Sequence, residues 1–407
     1  MANVLRAILR RSAQSILRRA HAIRGRRGST RDVLFLCQNG LMSDYLAPVW
    51  ELLKADERLR FFLTYPRDER IAHEVPKIQA ALPVPVVRLG IAECRRFDLI
   101  VTADHGYEGL ATRKNCPVLY TGHGMTGKVV EGEAGDYGYG PRAKLADGTP
   151  RYSVMLEASE SNRVRVAERD PVLASAIRVV GSLHDDRLLA KLSERDRIRN
   201  ESGYAASDRV VLVQSTWGPH CLFRTVGEQL LEQLARCTDT EFVLSVHPHE
   251  YRPTGDGTAS WGARLTELDL PNVRVRDPKE PWIPSLVAAD AVITDHTSLV
   301  IYAALAHKPT LWTDVPEQLV QEGTALARLR SMSPVWKPET PLGEALGKTI
   351  RDYPYDALTE LASELNSCPG EAGERIRAVA YELLGFAPAA SRSTSGPALK
   401  EPVATSR

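Results

Sequence analysis

Three short stretches of this 407-residue chain carry side chains able to do chemistry, and each follows an apolar run. In Pro117-Val-Leu-Tyr-Thr-Gly-His-Gly-Met-Thr-Gly-Lys128 the run ends at His123 between two glycines, with the Thr126 hydroxyl and the Lys128 ammonium just beyond. Glycine on both sides lets backbone approach a ligand closely and leaves the imidazole unshielded. A histidine titrating near neutrality at a strand end suits general-base work on an alcohol; the alternative is a histidine that merely caps a turn. In Glu241-Phe-Val-Leu-Ser-Val-His-Pro-His-Glu250 a second run delivers His247 and His249 around Pro248, which holds His247 extended. These rings suit neutralising phosphate oxygens. A shared metal is disfavoured, because i,i+2 positions on an extended chain point apart and no Cys or Asp cluster lies near. The third run, Ala291-Val-Ile-Thr, enters Asp295-His-Thr-Ser298 at the start of a helical pattern. There the hydroxyls of Thr297 and Ser298 join backbone N–H groups and the helix dipole on an anion, with the Asp295 carboxylate at the same edge. Either hydroxyl also reads as a plain N-cap.

Elements of alternating type must position these groups. Val33–Gln38, Phe61–Thr64, Val84–Leu89, Leu99–Ala103, Val118–Thr121, Val154–Glu157 and Ile177–Val180 read as short buried strands of a first half. Val210–Gln214, Phe242–Val246, Val273–Val275, Ala291–Thr294 and Thr310–Trp312 repeat the scheme in a second. Helical stripes lie between them, such as Leu46, Val49, Trp50 and Leu53 within Ser43–Ala55, or Leu222, Val226, Leu230, Leu231 and Leu234. The pattern predicts an α/β protein of two doubly wound, Rossmann-like domains facing across a cleft, over residues 32–185 and 186–386. Asp104 and His105 end the Leu99–Ala103 strand and face that cleft, either to bind an acceptor or to cap the turn. The loop Glu131–Asp147 sets Tyr137 and Tyr139 among four glycines, a composition suited to a mobile flap or to an ordinary surface connection.

Residues 1–31 contain no acid and many arginines, with Leu5, Ile8, Leu9, Ile16, Leu17, Ala20 and Ile23 near helical spacing. This reads as a basic amphipathic helix able to lie on an anionic membrane surface, too interrupted by charge to span one. An Arg-rich transit peptide and a disordered basic tail are the competing readings. Residues 387–407, rich in Ala, Ser, Pro and Thr without periodicity, read as a disordered tail. The 52 basic and 51 acidic side chains nearly cancel, which argues against a protein that coats nucleic acid. Six scattered cysteines without C-x-x-C spacing point to a reducing compartment. The expected location is cytoplasmic, peripheral on the inner membrane face.

Taken in order, Gly122-His123-Gly124, Gly181 followed by Asp185-Asp186, the strand ending in His247-Pro248, and Thr294-Asp-His-Thr-Ser298 with Lys308-Pro309 resemble the CDP-glycerol glycerophosphotransferases of the teichoic-acid polymerase type. The matching stretches are Tyr120–Lys128, Gly181–Leu189, Val210–Trp217, Phe242–Pro248 and Ile283–Pro309, so the resemblance spans residues 95 to 315. It departs at Gly122, where the family has Trp; at Met125-Thr-Gly-Lys128, for Thr-Pro-Leu-Lys; at Leu183-His-Asp-Asp186, for Pro-Arg-Asn-Asp; and at His296, for Tyr. The resemblance implies GT-B architecture and a transferase that moves a glycerol-phosphate or related polyol-phosphate unit from a CDP-activated donor. The acceptor is a hydroxyl of a cell-envelope polymer or lipid-linked chain, and CMP is released. In that scheme His123 is the base, and His247, Asp295, Thr297, Ser298 and Lys308 hold the donor. Asp104, His105, Lys128, Tyr137 and Tyr139 serve the acceptor or a flap. No cofactor beyond the donor is implied, and the absence of an Asp-x-Asp element favours metal independence. Two alternatives stay open: a GT-B sugar transferase or epimerase using a nucleotide sugar, and a non-catalytic, membrane-associated nucleotide-binding protein.

Overall fold

Runs such as Val33-Leu34-Phe35-Leu36 and Val210-Val211-Leu212-Val213 have no polar face, so they fit only sheets covered on both sides. The computed structural model describes residues 30–386, apart from 68, 108, 113–115, 124–137, 252–259 and 279, and bears this out. Strands β1 (Arg31–Leu36), β2 (Leu59–Thr64), β3 (Leu99–Thr102), β4 (Val118–Tyr120), β5 (Val154–Glu157) and β6 (Ile177–Val179) form one sheet in the order β2-β1-β3-β4-β5-β6. A second sheet has the order β11-β10-β7-β8-β9, from β7 (Arg209–Ser215), β8 (Thr240–Val246), β9 (Val273–Val275), β10 (Ala291–Thr294) and β11 (Thr310–Trp312). All pairings in both sheets are parallel. Alternation along each strand splits the core. Val33 and Phe35 pack on one face of the first sheet, Leu34 and Leu36 on the other. Val210 and Leu212 separate from Val211 and Val213 in the same way in the second.

Strand order reverses between β1 and β3 and again between β7 and β10, which puts a ligand crevice at the carboxyl edge of each sheet. One expected strand is absent. Within Val84–Leu89 only Val86 bridges to Leu63, and a helix starts at Leu89. Pro83 and Pro85 bracket Val84, and Pro85, which has no N–H of its own, gives its carbonyl to Leu63 (3.0 Å), so no ladder extends there.

The boundary expected for the second domain also needs correction at its far end. Helix Ala372–Leu383 returns to the first domain, where Ile376, Val379, Ala380 and Leu384 join the core that holds Val33 and Phe35. Asp186 ties down its approach, accepting from Gly370 N (2.7 Å) and Ala372 N (3.2 Å). Beside it Gly181, at φ +80°, lies against the crossing chain; a Cβ there would sit 2.8 Å from the Cys368 carbonyl oxygen. The two domains therefore meet along a cleft whose hinge side is laced by residues 366–372. Residues 1–29 and 387–407, with the expected membrane-surface helix and tail, lie outside the described residues. Among the described residues no helix is long and apolar enough to cross a membrane.

Candidate functional site in the interdomain cleft

The cleft is lined from the first domain by Tyr45, Tyr120, His123, Tyr139, Glu157 and His184, and from the second by Ile301, Tyr302, Arg328 and Glu364. His123 stands just past β4, after Gly122 turns the chain at φ +66°. Its Nδ1 lies 2.7 Å from the Ala103 carbonyl oxygen. A carbonyl only accepts, so Nδ1 carries a proton and donates it to Ala103, which fixes the orientation of the ring at the cleft. The Tyr45 ring stands edge-on to His123 at 6.2 Å and leans on His184 at 4.4 Å. Burial pushes His184 down to about 4, helped by the Arg187 charge, so it stays neutral. Burial likewise pushes the Tyr302 phenol well above its ordinary value, with the Tyr45 phenol beside it.

Tyr139 reaches the same cleft and donates its hydroxyl to Glu157 at the end of β5. The neighbouring candidates Lys128 and Tyr137 lie outside the described residues. Asp104 and His105 are placed as scaffolding. Asp104 accepts from His105 N (2.6 Å), capping the turn. His105 is 4 % exposed, bonded at 2.8 Å to the Tyr152 hydroxyl and stacked on Tyr120 and Tyr152. Burial lowers it to about 4. Neither residue lines the cleft, and the His105 ring instead lies stacked on Tyr120 and Tyr152.

At the carboxyl edge of the second sheet the conspicuous acid is also scaffolding. Asp295 is fully buried, and its carboxylate accepts from Ser215 Oγ (2.9 Å), Thr216 N (3.0 Å), Leu222 N (2.8 Å) and Thr297 N (2.9 Å). It thereby stitches the β7–β10 switch point and caps helix Leu222–Arg236, so the expectation that it contacts a donor is corrected. Thr297 is buried with its Oγ1 accepting from Leu299 N (3.4 Å). Ser298 is half-buried in a turn that precedes helix Val300–Leu305, which starts two residues later than the motif suggested. His247 accepts at Nδ1 from His249 N (3.1 Å). The turn Pro248–Tyr251 brings the two rings to 4.7 Å with Trp217 5.1 Å from His249, instead of pointing them apart as an extended chain would. Among the described residues no group of three or more His, Cys, Asp or Glu is placed to hold a metal ion.

Lys308 is on the wrong edge. Helix Val300–Leu305 runs back from the carboxyl end of β10, so Lys308 precedes β11 at the amino edge, where its ammonium donates to the Val287 carbonyl (3.5 Å). Burial there, reinforced by the Arg195 charge, lowers it to about 8. His123 and Tyr139 thus share the cleft with Ile301 and Tyr302, while His247, Thr297 and Ser298 sit along the second sheet's edge outside that lining. Tyr45, His184, Glu157 and Tyr302 were missed in the sequence. Of these only His184, in the Gly181–Leu189 stretch that departs from the family pattern, gave a signal.

No protein-family model and no curated protein sequence matches the chain. Solved structures do match. The wall teichoic acid polymerase TagF aligns over 94% of this chain and 97% of its own, with TM-score 0.60 and 14% identity. The UDP-GlcNAc 2-epimerase from Neisseria meningitidis aligns over 87% of this chain and 99% of its own, with TM-score 0.52 and 13% identity. The fold is GT-B. S. aureus MnaA, solved with UDP, shares this GT-B arrangement at TM-score 0.54, 12% identity, and 88% and 98% coverage. The likeness is one of fold, and both the polymerase and the epimerases carry it.

Proposed function

We propose that this GT-B protein transfers a glycerol-phosphate or related polyol-phosphate unit from a CDP-activated donor to a hydroxyl of a cell-envelope acceptor. The observation that carries the reading is His123, an imidazole whose Nδ1–H donates to the Ala103 carbonyl, at a cleft lined by both domains. The fold it shares with the polymerase, a variant of which was soaked with CDPG, supports the same choice. The acceptor hydroxyl would lie against His123 Nε2, which takes its proton as the oxygen attacks the phosphorus bearing the polyol. The bond from that phosphorus to the CMP oxygen breaks, and CMP leaves with the electron pair. His247 and the turn at Thr297–Ser298 would hold the pyrophosphate on the second domain, with Asp295 fixing the turn from below. His123 needs no metal for its part. Residues 1–31 would bring the chain to the anionic inner membrane surface, where a lipid-linked acceptor resides.

The likeness to UDP-GlcNAc 2-epimerases supports a second reading, chemistry on a nucleotide sugar. The products separate the two. Incubation of the full chain with CDP-glycerol and a glycerol-phosphate-primed acceptor should yield CMP in step with acceptor elongation. Epimerised sugar or released nucleoside diphosphate from UDP-sugars, with CDP-glycerol untouched, would establish the second reading instead.

A further inference from the structure

The chain passes between the domains twice, and one acid sits where the two passages meet. Helix Leu183–Leu192 leaves the first domain, where Leu183 packs on the core of Val33 and Phe35, and enters the second, where Leu188 is buried with Val210 and Leu212. The return passage runs from Leu365 in the second core to Ala372 in the first. Asp185, on the outgoing helix, is fully buried beside Asn366 of the return passage, and neither of its carboxylate oxygens has a hydrogen bond. Asn366 Nδ2 is likewise buried and unbonded, while Asn366 Oδ1 accepts from Cys368 N (2.9 Å). Ser182 Oγ caps the helix, accepting from Asp185 N (3.2 Å). Among the described residues no cation pairs with Asp185. The ionisable groups that face it are Asp186 on its own helix, Glu157 at the end of β5 and the Tyr302 phenol on helix Val300–Leu305. Asp186 is bound by Gly370 N and Ala372 N; helix Ile283–Ala288, also packed here, carries no ionisable side chain; helix Ala372–Leu383 meets Leu183 at Gly373. Burial pushes the Asp185 carboxyl up to about 7; Asp186 and Glu157 add to this, and the nearby Ser182 and Asn366 side chains oppose it only in part.

We propose that Asp185 is a proton-linked switch in the interdomain hinge: the domain arrangement seen here holds it as the neutral acid, and parting of the two passages admits water and releases its proton. An unpaired carboxylate is costly to bury, so the joined hinge favours the protonated form and the parted hinge the ionised one. The inference is independent of which transfer the cleft performs. In the parted hinge the acid returns to its ordinary 3.8. Between about 4 and 7 the parted form is ionised and the joined form is not, so the ratio of parted to joined hinge rises up to about tenfold per pH unit. Above about 7 both forms are ionised and the ratio levels off. His184, lowered to about 4, and Tyr302, raised well above its ordinary value, keep their charge state across this window.

Amide hydrogen exchange of the full chain tests this, with wild type and Asp185→Asn compared at each pH so that the intrinsic pH dependence of exchange cancels. Asparagine keeps the shape of the neutral acid and cannot ionise. The ratio of wild-type to variant exchange rates over residues 183–192 and 366–372 should climb by up to about tenfold per unit from pH 5 to 7 and level off above, while the ratio in β7 stays constant. Glu157→Gln, measured in place of wild type, should give the same climb. Small-angle scattering of wild type alone should show the radius of gyration rising over the same window as the domains part. A flat rate ratio, or a ratio that climbs equally in β7, would overturn the switch, the second by showing that the whole domain unfolds. A wild-type radius of gyration constant from pH 5 to 7 would overturn it as well. Loss of the climb in Glu157→Gln would overturn it in favour of Glu157 as the titrating group.

Discussion

The two carboxyl edges are built from the same topology and use their polar residues in opposite ways. At the second sheet's switch point the buried Asp295 binds β7, β10 and helix Leu222–Arg236 together with four different donors. At the first sheet the corresponding β1–β3 junction is spanned by a neutral amide, Gln38 Nε2, to Thr102 Oγ1 (2.9 Å) and the Asp104 carbonyl (3.0 Å). His123 donates to one backbone carbonyl and lines the cleft. A charged residue in a promising motif can be consumed by the scaffold, while a ring oriented by a backbone carbonyl lines the cleft.

Removing the scaffold acid should break this contrast most severely. Asp295→Ala orphans the N–H groups of Thr216, Leu222 and Thr297, and at about 1–3 kcal/mol for each buried unsatisfied group the loss should total several kcal/mol. Urea denaturation followed by circular dichroism should show the second domain unfolding early; a midpoint within error of wild type would return Asp295 to the list of ligand contacts.

On the first edge the same test applies to His105, through pH. Burial holds the folded pKa at about 4, below the ordinary 6.5, so the unfolded chain takes up a proton first as pH falls. Stability from this group is full above about 6.5 and is lost as pH falls toward 4, at up to about 1.4 kcal/mol per pH unit. His105→Phe, which keeps the ring stack, should flatten the stability profile between pH 6.5 and 4. An unchanged acid slope would mean that His105 reaches solvent and belongs with the cleft residues after all.

The smallest effect is expected at the amino edge. Lys308→Met removes an ammonium that meets only the Val287 carbonyl and nearby charges, so stability should shift by less than about 1 kcal/mol and the donor Kd by less than about twofold. A large rise in donor Kd would contradict the placement of Lys308 away from the ligand-binding edge.

Much of this architecture is legible in the sequence because buried parallel strands leave an unmistakable apolar run. Val154–Glu157, Ala291–Thr294 and Thr310–Trp312 fall where the runs place them. The misses share a cause, which is that chain proximity does not give spatial direction. Lys308 follows the Thr297–Ser298 turn by ten residues, yet one short helix carries it to the far side of the sheet. Ala372–Leu383 has a plain amphipathic stripe, and nothing in that stripe says which domain it covers. Tyr302 is a core residue and Tyr45 packs half-buried against the other core, and nothing in their apolar helical surroundings says that these two cores meet at the cleft. Glu157 ends a strand with no motif around it, and its bond from Asn162 exists only once helix Glu160–Arg169 has folded over β5.

The most direct test of the division between the two edges pairs donor affinity with turnover in two variants. His123→Gln should leave the Kd for CDP-glycerol within about twofold while CMP release falls by a factor of roughly 10²–10⁴, the range for loss of a general base. Ser298→Ala should raise that Kd with CMP release at saturating donor largely kept. Normal turnover in His123→Gln, or donor binding lost with it, would contradict the account.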